Sequence, residues 1–477
     1  MEYEIVIGLE VHVELATDSK IYCNCSTAFG SDVNSQCCPV CTGMPGTLPV
    51  LNEKVIEYAV KPGLALNCKI AGFSKQDRKN YFYPDLPKAY QISQYDLPLC
   101  KEGFLEIETE QGYKKIGITR IHIEEDAGKL IHDDITGSGS MIDFNRCGIP
   151  LIEIVSEPDL RSAEEAKTYM ENLRNIILYV GASDCKMQEG SMRADVNLSV
   201  REKGSDKLGT RTEMKNLNSF RSVVRAIEAE AKRQIRLIED GEIIIQETRR
   251  WDDDKGQSYS MRSKEEAHDY RYFPEPDLPP VILSEEVIEN YRRSLPELPK
   301  AKYEKYVSGW NLPEYDARII TSSFELADLF EKAVKTCNNP KAVSNWIMGE
   351  LLRKIKEREI EPKNVQMNPE HLGKLILLIE QGSVTGNIAK KIFDEMFDTL
   401  KDPESIIVEK GYKTLSDTAE LETIIIKVLE NNPKSVSDYK AGKKKSIGFL
   451  MGCVMRETKG SADPTKVNDI LIKKLES

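Results

Sequence analysis

The segment from residue 4 to residue 14 alternates between apolar and polar side chains, and it constrains the fold more than any other part of the chain. Ile5, Ile7, Leu9, Val11 and Val13 share one face, whereas Glu4, Glu10, His12 and Glu14 share the other. A period of two residues is typical of a strand with one buried face. Carboxylates and an imidazole are costly to bury unless a cation lies against them. The polar face is therefore either solvated or a metal site.

The same alternation recurs in later segments, which favours the metal site. In segment 117–128, His122, Glu124 and Asp126 share one face and Glu125 lies on the other. The polar positions of the other segments are Arg193, Asp195 and Asn197 in 191–200, Glu213 and Lys215 in 210–216, and Glu153 in the otherwise apolar segment 150–155. Several strands that mix acids with Arg or Lys predict one open antiparallel sheet lining a charged cavity. In this hypothesis the acids hold Mg²⁺ while Arg and Lys side chains meet nucleotide phosphates, so replacing Glu10, His12 or Glu125 by Ala should impair ATP turnover.

The composition narrows the class of protein. A chain of 477 residues with 40% hydrophobic and 30% charged residues can form two to four globular domains. No apolar run approaches the 18 residues of a membrane span, and the first residues lack the features of a signal peptide. We therefore expect a cytoplasmic location. The net charge of −12 argues against indiscriminate nucleic-acid binding but allows a local basic patch.

Two close cysteine pairs predict a zinc knuckle between residues 23 and 41. Cys23 and Cys25 are separated by one residue, and Cys38 and Cys41 by two. Such pairs can turn onto one tetrahedral ion, and thiolates favour zinc. A site with four thiolates is closed and therefore structural. A set of reduced, half-buried cysteines or a redox role are the alternatives.

The pattern of segments predicts an α+β protein. Residues 1–294 alternate strands with a few helices, which predicts an α/β cradle on an antiparallel sheet that ends after the proline-rich stretch 273–280. Residues 295–405 read as an all-helical domain, and residues 406–477 as a helical tail domain. The loop-like stretch 77–96 is rich in aromatic residues and carries Lys79 and Lys88.

The tail contains a local basic cluster in an otherwise acidic protein. Its cations include Lys443, Lys444, Lys445 and Arg456, with glycines at 442, 448 and 452. A helix with such glycines has a smooth side that can approach another backbone. This cluster is either an RNA phosphate contact or a solvated lysine face.

Several common catalytic motifs are absent from the sequence. It has no G-x-x-x-x-G-K-[ST] phosphate loop, no G-x-G-x-x-G fingerprint opening a helix and no G-x-S-x-G elbow. It also lacks a Ser- and Gly-rich stretch typical of an amidase nucleophile. If the chain uses nitrogen from glutamine, another polypeptide must release it.

Motifs along nearly the whole chain resemble the B subunits of aspartyl/glutamyl-tRNA amidotransferases. They are EVHVEL from Glu10, the cysteine knuckle, DRKNYFYPDLPKAYQISQYD from Asp77, HIEEDAGK from His122, DFNRCGIPLIEIVSEPD from Asp143, GSMRADVN from Gly190, TEMKNLNS from Thr212, DYRYFPEPDLPP from Asp269 and GKKKSIGFLMG from Gly442. Nine motifs in the family's order make chance similarity implausible.

The resemblance implies a subunit of a heterotrimer that amidates glutamate on misacylated tRNA(Gln) or aspartate on misacylated tRNA(Asn). In this family the B subunit binds ATP and Mg²⁺ and phosphorylates the side-chain carboxylate. Ammonia from the glutaminase A subunit then displaces the phosphate, the small C subunit straps A and B together, and the tail domain contacts the tRNA elbow.

The resemblance also implies roles for single residues. Glu10, His12 and Glu125, and less directly Glu124 and Glu153, are metal-site residues, although strand alternation lets only one of Glu124 and Glu125 point into the site. Five residues are expected to contact phosphate or the nucleotide, or to hold such contacts in place: Arg193, Asp195, Asn197, Glu213 and Lys215. The residues expected to act in catalysis are Glu10, His12, Glu125, Arg193 and Lys215. Lys79 and Lys88 are expected to meet phosphate or the tRNA acceptor end.

Two other functions fit parts of the sequence. A free-standing ATP-dependent carboxylate–amine ligase for a small molecule would use the same acidic sheet. A non-catalytic zinc-knuckle RNA-binding scaffold would need the knuckle and the basic tail but not the repeated acids. The basic tail and the missing glutaminase favour the tRNA enzyme.

Overall fold

The computed structural model describes residues 2–132, 139–263, 269–412, 418–458, 462 and 464–476. The chain divides into two compact units, Met1–Leu298 and Pro299–Ser477. The first unit combines strands and helices and the second is built of helices, so the predicted α+β class is confirmed. The three-domain division at residues 294 and 405 remains a prediction.

Strands dominate the first unit, where sixteen are described. They are β1 (Tyr3–Glu14), β2 (Lys69–Ile70), β3 (Phe73–Ser74), β4 (Asp77–Asn80), β5 (Tyr90–Ser93), β6 (Cys100–Thr109), β7 (Gly112–Glu125), β8 (Lys129–His132), β9 (Ser140–Asp143), β10 (Pro150–Ser156), β11 (Met192–Glu202), β12 (Thr212–Leu217), β13 (Glu247–Asp252), β14 (Gln257–Ser263), β15 (Phe273–Pro274) and β16 (Val281–Ile282). Nine of them form one sheet in the order β14-β13-β12-β11-β1-β10-β7-β6-β2.

Helices cover the apolar face of this sheet. The four described helices of the first unit are α1 (Glu53–Ala65), α2 (Ala163–Tyr179), α3 (Phe220–Glu239) and α4 (Glu285–Arg293). Leu9, Val11 and Val13 of β1 are at most 1% exposed and share one hydrophobic core with Tyr169 of α2 and Ala226 of α3. Because side chains alternate along a strand, the polar residues between them point to the opposite face.

One strand pair departs from the predicted antiparallel sheet. β12 and β13 run parallel, whereas the other pairs of the nine-stranded sheet are antiparallel. The physical reason is α3, which lies between them in the chain. A helix between two paired strands returns the chain to the same end of the sheet, so the second strand runs in the same direction as the first.

The aromatic stretch 77–96, predicted as a loop, contains a strand pair. β4 and β5 pair antiparallel with Arg78 opposite Ile92, and β15 pairs with β4 on its other side. The nine intervening residues and residues 94–96 remain loop. Smaller pairs join β16 to β3 and β8 to β9.

The second unit contains twelve described α-helices. They are α5 (Pro299–Glu304), α6 (Glu314–Thr321), α7 (Phe324–Cys337), α8 (Pro340–Trp346), α9 (Leu352–Glu357), α10 (Pro369–Glu380), α11 (Gly386–Thr399), α12 (Pro403–Lys410), α13 (Thr418–Asn431), α14 (Pro433–Lys440), α15 (Ser446–Glu457) and α16 (Pro464–Glu476). Helices α13 to α16 enclose a hydrophobic core that includes Leu421, Leu450 and Leu471. Among the described residues, we find no helix with the length and apolar character to cross a membrane.

Candidate active site

A histidine and two glutamates meet on the polar face of three neighbouring strands. His12 of β1 lies opposite Glu153 of β10, and the adjacent β7 contributes Glu124. The His12 Nε2 atom is 3.6 Å from Glu124 Oε1 and 3.7 Å from Glu153 Oε2. We call His12, Glu124 and Glu153 the histidine cluster. Its ligand atoms all lie within 4.8 Å of one another.

His122 supports the histidine cluster from β7. Its Nε2 atom is 3.2 Å from Glu153 Oε2 and 3.7 Å from Glu124 Oε2. Although burial opposes the charged imidazole, Glu153 and Glu124 raise the pKa of His122 to about 9. Burial likewise opposes the charged form of Glu153, but His122 and His12 hold the pKa of Glu153 well below its usual range. Burial also opposes the charged form of Glu124, but His122 and His12 lower its pKa, so both carboxylates of the cluster are ionised at neutral pH.

Three acids form a second group on the same face. Glu10, Asp195 and Glu213 place their carboxylate oxygens within 4.8 Å of one another, and we call them the acid cluster. Glu10 belongs to β1, Asp195 lies opposite it on β11, and Glu213 comes from β12. Burial, with the charges of Glu153, Asp195 and Glu213, raises the pKa of Glu10. Glu10 thus responds to the charge of both clusters.

Asn197 and Lys215 hold the acid cluster in place. Asn197 Nδ2 donates to Glu10 Oε1 at 2.9 Å. The Lys215 ammonium pairs with Asp195 and lies 2.7 Å from Glu213 Oε1. Burial opposes the charge of Lys215, but the two acids raise its pKa well above the usual range. Lys215 therefore stays charged. Among the predicted phosphate contacts, it is the cation closest to the acid cluster.

The donors of both clusters fit a divalent cation. Carboxylate oxygens with one imidazole suit Mg²⁺ or Mn²⁺, which prefer hard oxygen ligands. Neighbouring strands lie about 4.8 Å apart, so residues opposite one another on one face can reach the same ion. The polar face thus offers two adjacent places for a cation.

Arg193 lies at the edge of the histidine cluster. Its Nη2 atom donates to Asp126 Oδ2 at 2.9 Å, and Arg146 Nε is 3.2 Å from the same oxygen. The Arg193 side chain is 33% exposed, so part of it is accessible to solvent. Burial, together with the charge of Asp126, raises the pKa of Glu14 to about 8.

Arg120 is a residue that the sequence analysis missed. It occupies an even position of β7, like His122 and Glu124, and lies opposite Val155 of β10. Within the described part of the chain, no hydrogen bond or ion pair holds its half-buried guanidinium. The alternation that identified His122 and Glu124 extends two residues back to Arg120 and could have found it.

Glu125 lies on the other face of β7, away from both clusters. Its carboxylate accepts a hydrogen bond from the Ile92 amide at 2.8 Å and forms a buried ion pair with Lys88. The two side chains are 5% and 12% exposed and line a cavity of about 110 Å³ with Tyr22 and Tyr90. The structure therefore brings Glu124, but not Glu125, to His12, because adjacent strand residues face opposite ways.

Lys79 lies among aromatic rings near the histidine cluster. Its Nζ atom is 4.9 Å from the centre of the Tyr270 ring and 5.8 Å from that of Tyr81. Its positive charge contributes to the lowered pKa of Glu153. Lys79 and Lys88, which the sequence analysis grouped together, therefore belong to different environments.

The four predicted knuckle cysteines converge. The Sγ atoms of Cys23, Cys25, Cys38 and Cys41 all lie within 4.8 Å of one another, so this group could hold a metal ion. A hydrogen bond from Cys23 lowers the pKa of Cys41 to about 4, against the effect of burial. Lys20, which no sequence pattern singled out, is fully buried, and its Nζ atom is 3.6 Å from Cys41 Sγ.

The basic residues of the tail lie at both ends of α15. Lys443, Lys444 and Lys445 occupy the turn before the helix, and Arg456 lies in its last turn. All four are solvent-accessible, although Lys443 pairs with Asp438 at 3.0 Å. A Cβ atom at Gly448 or Gly452 would meet no other atom within 4 Å, so one side of α15 is open.

Comparison with known proteins gives matches over the full chain. The family model of the GatB/GatE catalytic domain matches residues 5–289, and that of the GatB domain matches residues 328–475. The B subunit of the aspartyl/glutamyl-tRNA(Asn/Gln) amidotransferase of Caldicellulosiruptor saccharolyticus is 60% identical over 100% of both chains. The proteins of the same name from Caldanaerobacter subterraneus and Agathobacter rectalis are 59% and 55% identical, over 100% and 99% of both chains.

Proposed function

Because the chain belongs to the GatB family of amidotransferase subunits, we propose that it activates and amidates the amino acid of a misacylated tRNA. The substrates are Glu-tRNA(Gln), Asp-tRNA(Asn) or both. The observation that supports the proposal is the pair of side-chain clusters on one sheet face that could each hold a cation, flanked by Arg193 and Lys215. A small-molecule ligase and a non-catalytic scaffold are the rejected alternatives.

The reaction has two steps. A side-chain carboxylate oxygen attacks the γ-phosphorus of ATP, the bond to the bridging oxygen breaks, and ADP leaves with the electron pair. Ammonia then attacks the acyl carbon, loses a proton, and phosphate leaves as the C–O bond breaks. The products are ADP, phosphate and the amide. Phosphoryl transfer depends chiefly on positioning and on stabilisation of charge.

Mg²⁺ is the cation that we propose for the histidine cluster and the acid cluster, where it would neutralise charge on phosphate oxygens. His12, Glu124 and Glu153 would hold one ion, and Glu10, Asp195 and Glu213 the other. Lys215 and Arg193 would orient phosphate oxygens by charge-assisted hydrogen bonds. His122 fixes the Glu153 carboxylate through its 3.2 Å contact and so orients a ligand.

The partners and the knuckle follow from the same premise. The name of the relatives denotes a subunit of a multi-subunit enzyme. We propose a heterotrimer with a glutaminase A subunit and a C subunit, located in the cytoplasm, with the basic turn before α15 on the tRNA. The four cysteines are proposed to bind structural Zn²⁺, because a closed set of thiolates leaves no position for a substrate.

Amidation by the assembled enzyme tests the proposal. This chain, co-purified with its A and C partners, is given Glu-tRNA(Gln) or Asp-tRNA(Asn), ammonium, ATP and Mg²⁺, and ADP and the amide are measured. We expect both products in equal amounts from the parent. Glu153→Gln should lower the rate at least about 100-fold, since one carboxylate is lost from the cation site. Glu157→Gln, a change at an exposed glutamate just past β10, is the matched control.

Two results would contradict the proposal. Phosphorylation of a free amino acid without tRNA would favour the small-molecule ligase. Binding of tRNA without use of ATP under any condition would favour the scaffold. Ammonium replaces glutamine in this assay, so a defect in the A subunit cannot produce either result.

A further inference from the structure

Four tyrosines form a wall beside the histidine cluster. The rings of Tyr95 and Tyr272 stack at 4.3 Å with an interplanar angle of 10°. Tyr270 contacts Tyr272 edge to face at 6.0 Å, and Tyr81 contacts Tyr270 in the same way at 5.8 Å. We call these four residues the tyrosine wall. They lie just outside β4, β5 and β15, and the pairing of these strands brings them together.

The wall adjoins the histidine cluster through the β4–β5 hairpin. Ser93, two residues before Tyr95, places its Oγ atom 3.5 Å from Glu124 Oε2. Burial raises the pKa of Tyr272, and the nearby charges of Glu124 and Glu153 add to this effect. Tyr272 is the more buried member of the stacked pair, and Tyr95 is the exposed member.

The outer end of the stack is open to solvent. Tyr95 is 62% exposed although Tyr272 covers one face of its ring. The opposite face of the Tyr95 ring is therefore available to a planar group. Phe82 and Tyr83, in the loop between β4 and β5, are 80% and 56% exposed.

A lysine stands at the inner part of the wall. Lys79 lies over the rings of Tyr270 and Tyr81. In the residues that the structure describes, no hydrogen bond or ion pair occupies its ammonium group. Stacked aromatic rings with an adjacent cation suit a nucleotide, since the rings take the base and the cation takes a phosphate.

The reaction brings two adenosines to this site, that of ATP and the terminal one of the tRNA. The triphosphate of ATP carries several negative charges. The polar face near β11 and β12 suits it, because the cations Lys215 and Arg193 lie there. The wall lies on the other side of the histidine cluster, and the cations described near it are single groups on separate segments: Lys79 of β4, Arg120 of β7, and Arg271 between Tyr270 and Tyr272. Separate single charges suit the successive phosphodiesters of a single-stranded tRNA end.

We propose that the tyrosine wall binds the terminal adenosine of the aminoacyl-tRNA, with its base stacked on the open face of Tyr95. The inference rests on the proposed function, because it needs an amino acid esterified to a tRNA. It assigns the wall a positioning role: the base is fixed on one side of the histidine cluster, so the esterified side chain reaches the cations.

Steady-state kinetics of the assembled enzyme test the proposal. Tyr95→Ala should raise KM for aminoacyl-tRNA about tenfold and leave KM for ATP unchanged, since base stacking on an aromatic ring typically contributes a factor of this size. Tyr95→Phe keeps the ring and should stay within about twofold of the parent. Tyr259→Ala removes a tyrosine that is 44% exposed on the distant edge strand β14, and is the matched control.

A tRNA whose terminal nucleotide lacks its base separates this inference from the proposed function. The parent should lose about tenfold in KM with this tRNA, and Tyr95→Ala should lose nothing further, because base and ring act on each other. The inference would be overturned if the effects of removing the base and of Tyr95→Ala on KM multiplied as independent effects. It would also be overturned if Tyr95→Ala raised KM for ATP alone. Failure of the parent to amidate the intact tRNA would instead overturn the proposed function. Unchanged circular dichroism and thermal unfolding confirm that Tyr95→Ala is folded.

Discussion

Replacing Glu124 by Gln should abolish tight binding of a divalent cation at the histidine cluster, whereas the same replacement at Glu125 should leave it intact. The two residues are adjacent in sequence and chemically identical. In the structure, Glu124 lies 3.6 Å from His12 Nε2, but Glu125 pairs with Lys88 on the other face of β7. The pair of variants therefore isolates the effect of position.

The expected magnitude follows from the coordination geometry. Adjacent ligands of an octahedral Mg²⁺ ion at 2.0–2.1 Å lie about 3 Å apart. His12 Nε2 is 3.6 Å from Glu124 and 3.7 Å from Glu153, so a shift of under about 1 Å would bring these atoms onto one ion. Changes in residues that only support a ligand weaken metal binding about 10- to 100-fold. Loss of a charged ligand should therefore weaken it at least about 100-fold, or about 2.7 kcal/mol.

Electron paramagnetic resonance of Mn²⁺ is a suitable assay, because it counts bound ions without requiring activity. We expect the parent and Glu125→Gln to bind with the same affinity, and Glu124→Gln to lose one ion per chain at concentrations that saturate the parent. Equal weakening in both variants, or weakening only in Glu125→Gln, would refute the assignment of the two faces. Thermal unfolding of each variant serves as the folding control.

Four further predictions concern the pairs and clusters outside the histidine cluster. Lys88→Met should lower the free energy of unfolding, measured by urea denaturation, by about 3 kcal/mol, because it leaves the Glu125 carboxylate buried without its partner. Adding Glu125→Gln to this variant should recover at least about 1 kcal/mol. Additive losses from the two replacements would contradict this prediction. Cys38→Ser should reduce the zinc released per chain in a colorimetric assay from one to near zero, and an unchanged yield would argue against the knuckle. Glu230 is 1% exposed and pairs with Arg233, and its pKa is lowered despite its burial. The ionised Glu230 carboxylate therefore stabilises the folded state above the unfolded pKa near 4.5, and this stabilisation is lost as the pH falls through the folded pKa. Urea denaturation of Glu230→Gln should accordingly show a loss of about 3 kcal/mol at pH 7 that shrinks below pH 4, and a constant difference would be inconsistent with it. Lys444→Gln should reduce the slope of log affinity for tRNA against log salt concentration by about one. Filter binding at several salt concentrations measures this slope. An unchanged slope would indicate that the lysines before α15 form a solvated face.

Local patterns in the sequence predicted the elements that carry the site. The alternation around His12 and Asp195 identified β1 and β11 and the face on which their polar residues lie. The sequence also carries a Ser-x-x-Glu capping box at Ser162, which marks the start of α2, and there the Ser162 hydroxyl accepts a hydrogen bond from the Glu165 amide. These signals are legible because side-chain period and capping are set by a few neighbouring residues.

Other local predictions failed where contacts between distant segments decide. The stretch 77–96 has the composition of a loop, yet its ends pair as β4 and β5 and are completed by β15, almost 200 residues later. The expected antiparallel sheet contains a parallel pair because α3 separates β12 from β13. Nothing in the composition of a strand specifies which edge it will pair with.

Acid-rich strands, a cysteine knuckle and the motifs of the family can all be read from the order of the amino acids alone. Which of these groups meet depends on the folded chain. His12, Glu124 and Glu153 come from three strands spread over about 140 residues, and strand register places them together. The same register sends Glu125 to Lys88 instead. The physical reason is that a strand fixes on which face a side chain lies, whereas its neighbours across the sheet are fixed by pairing with distant segments.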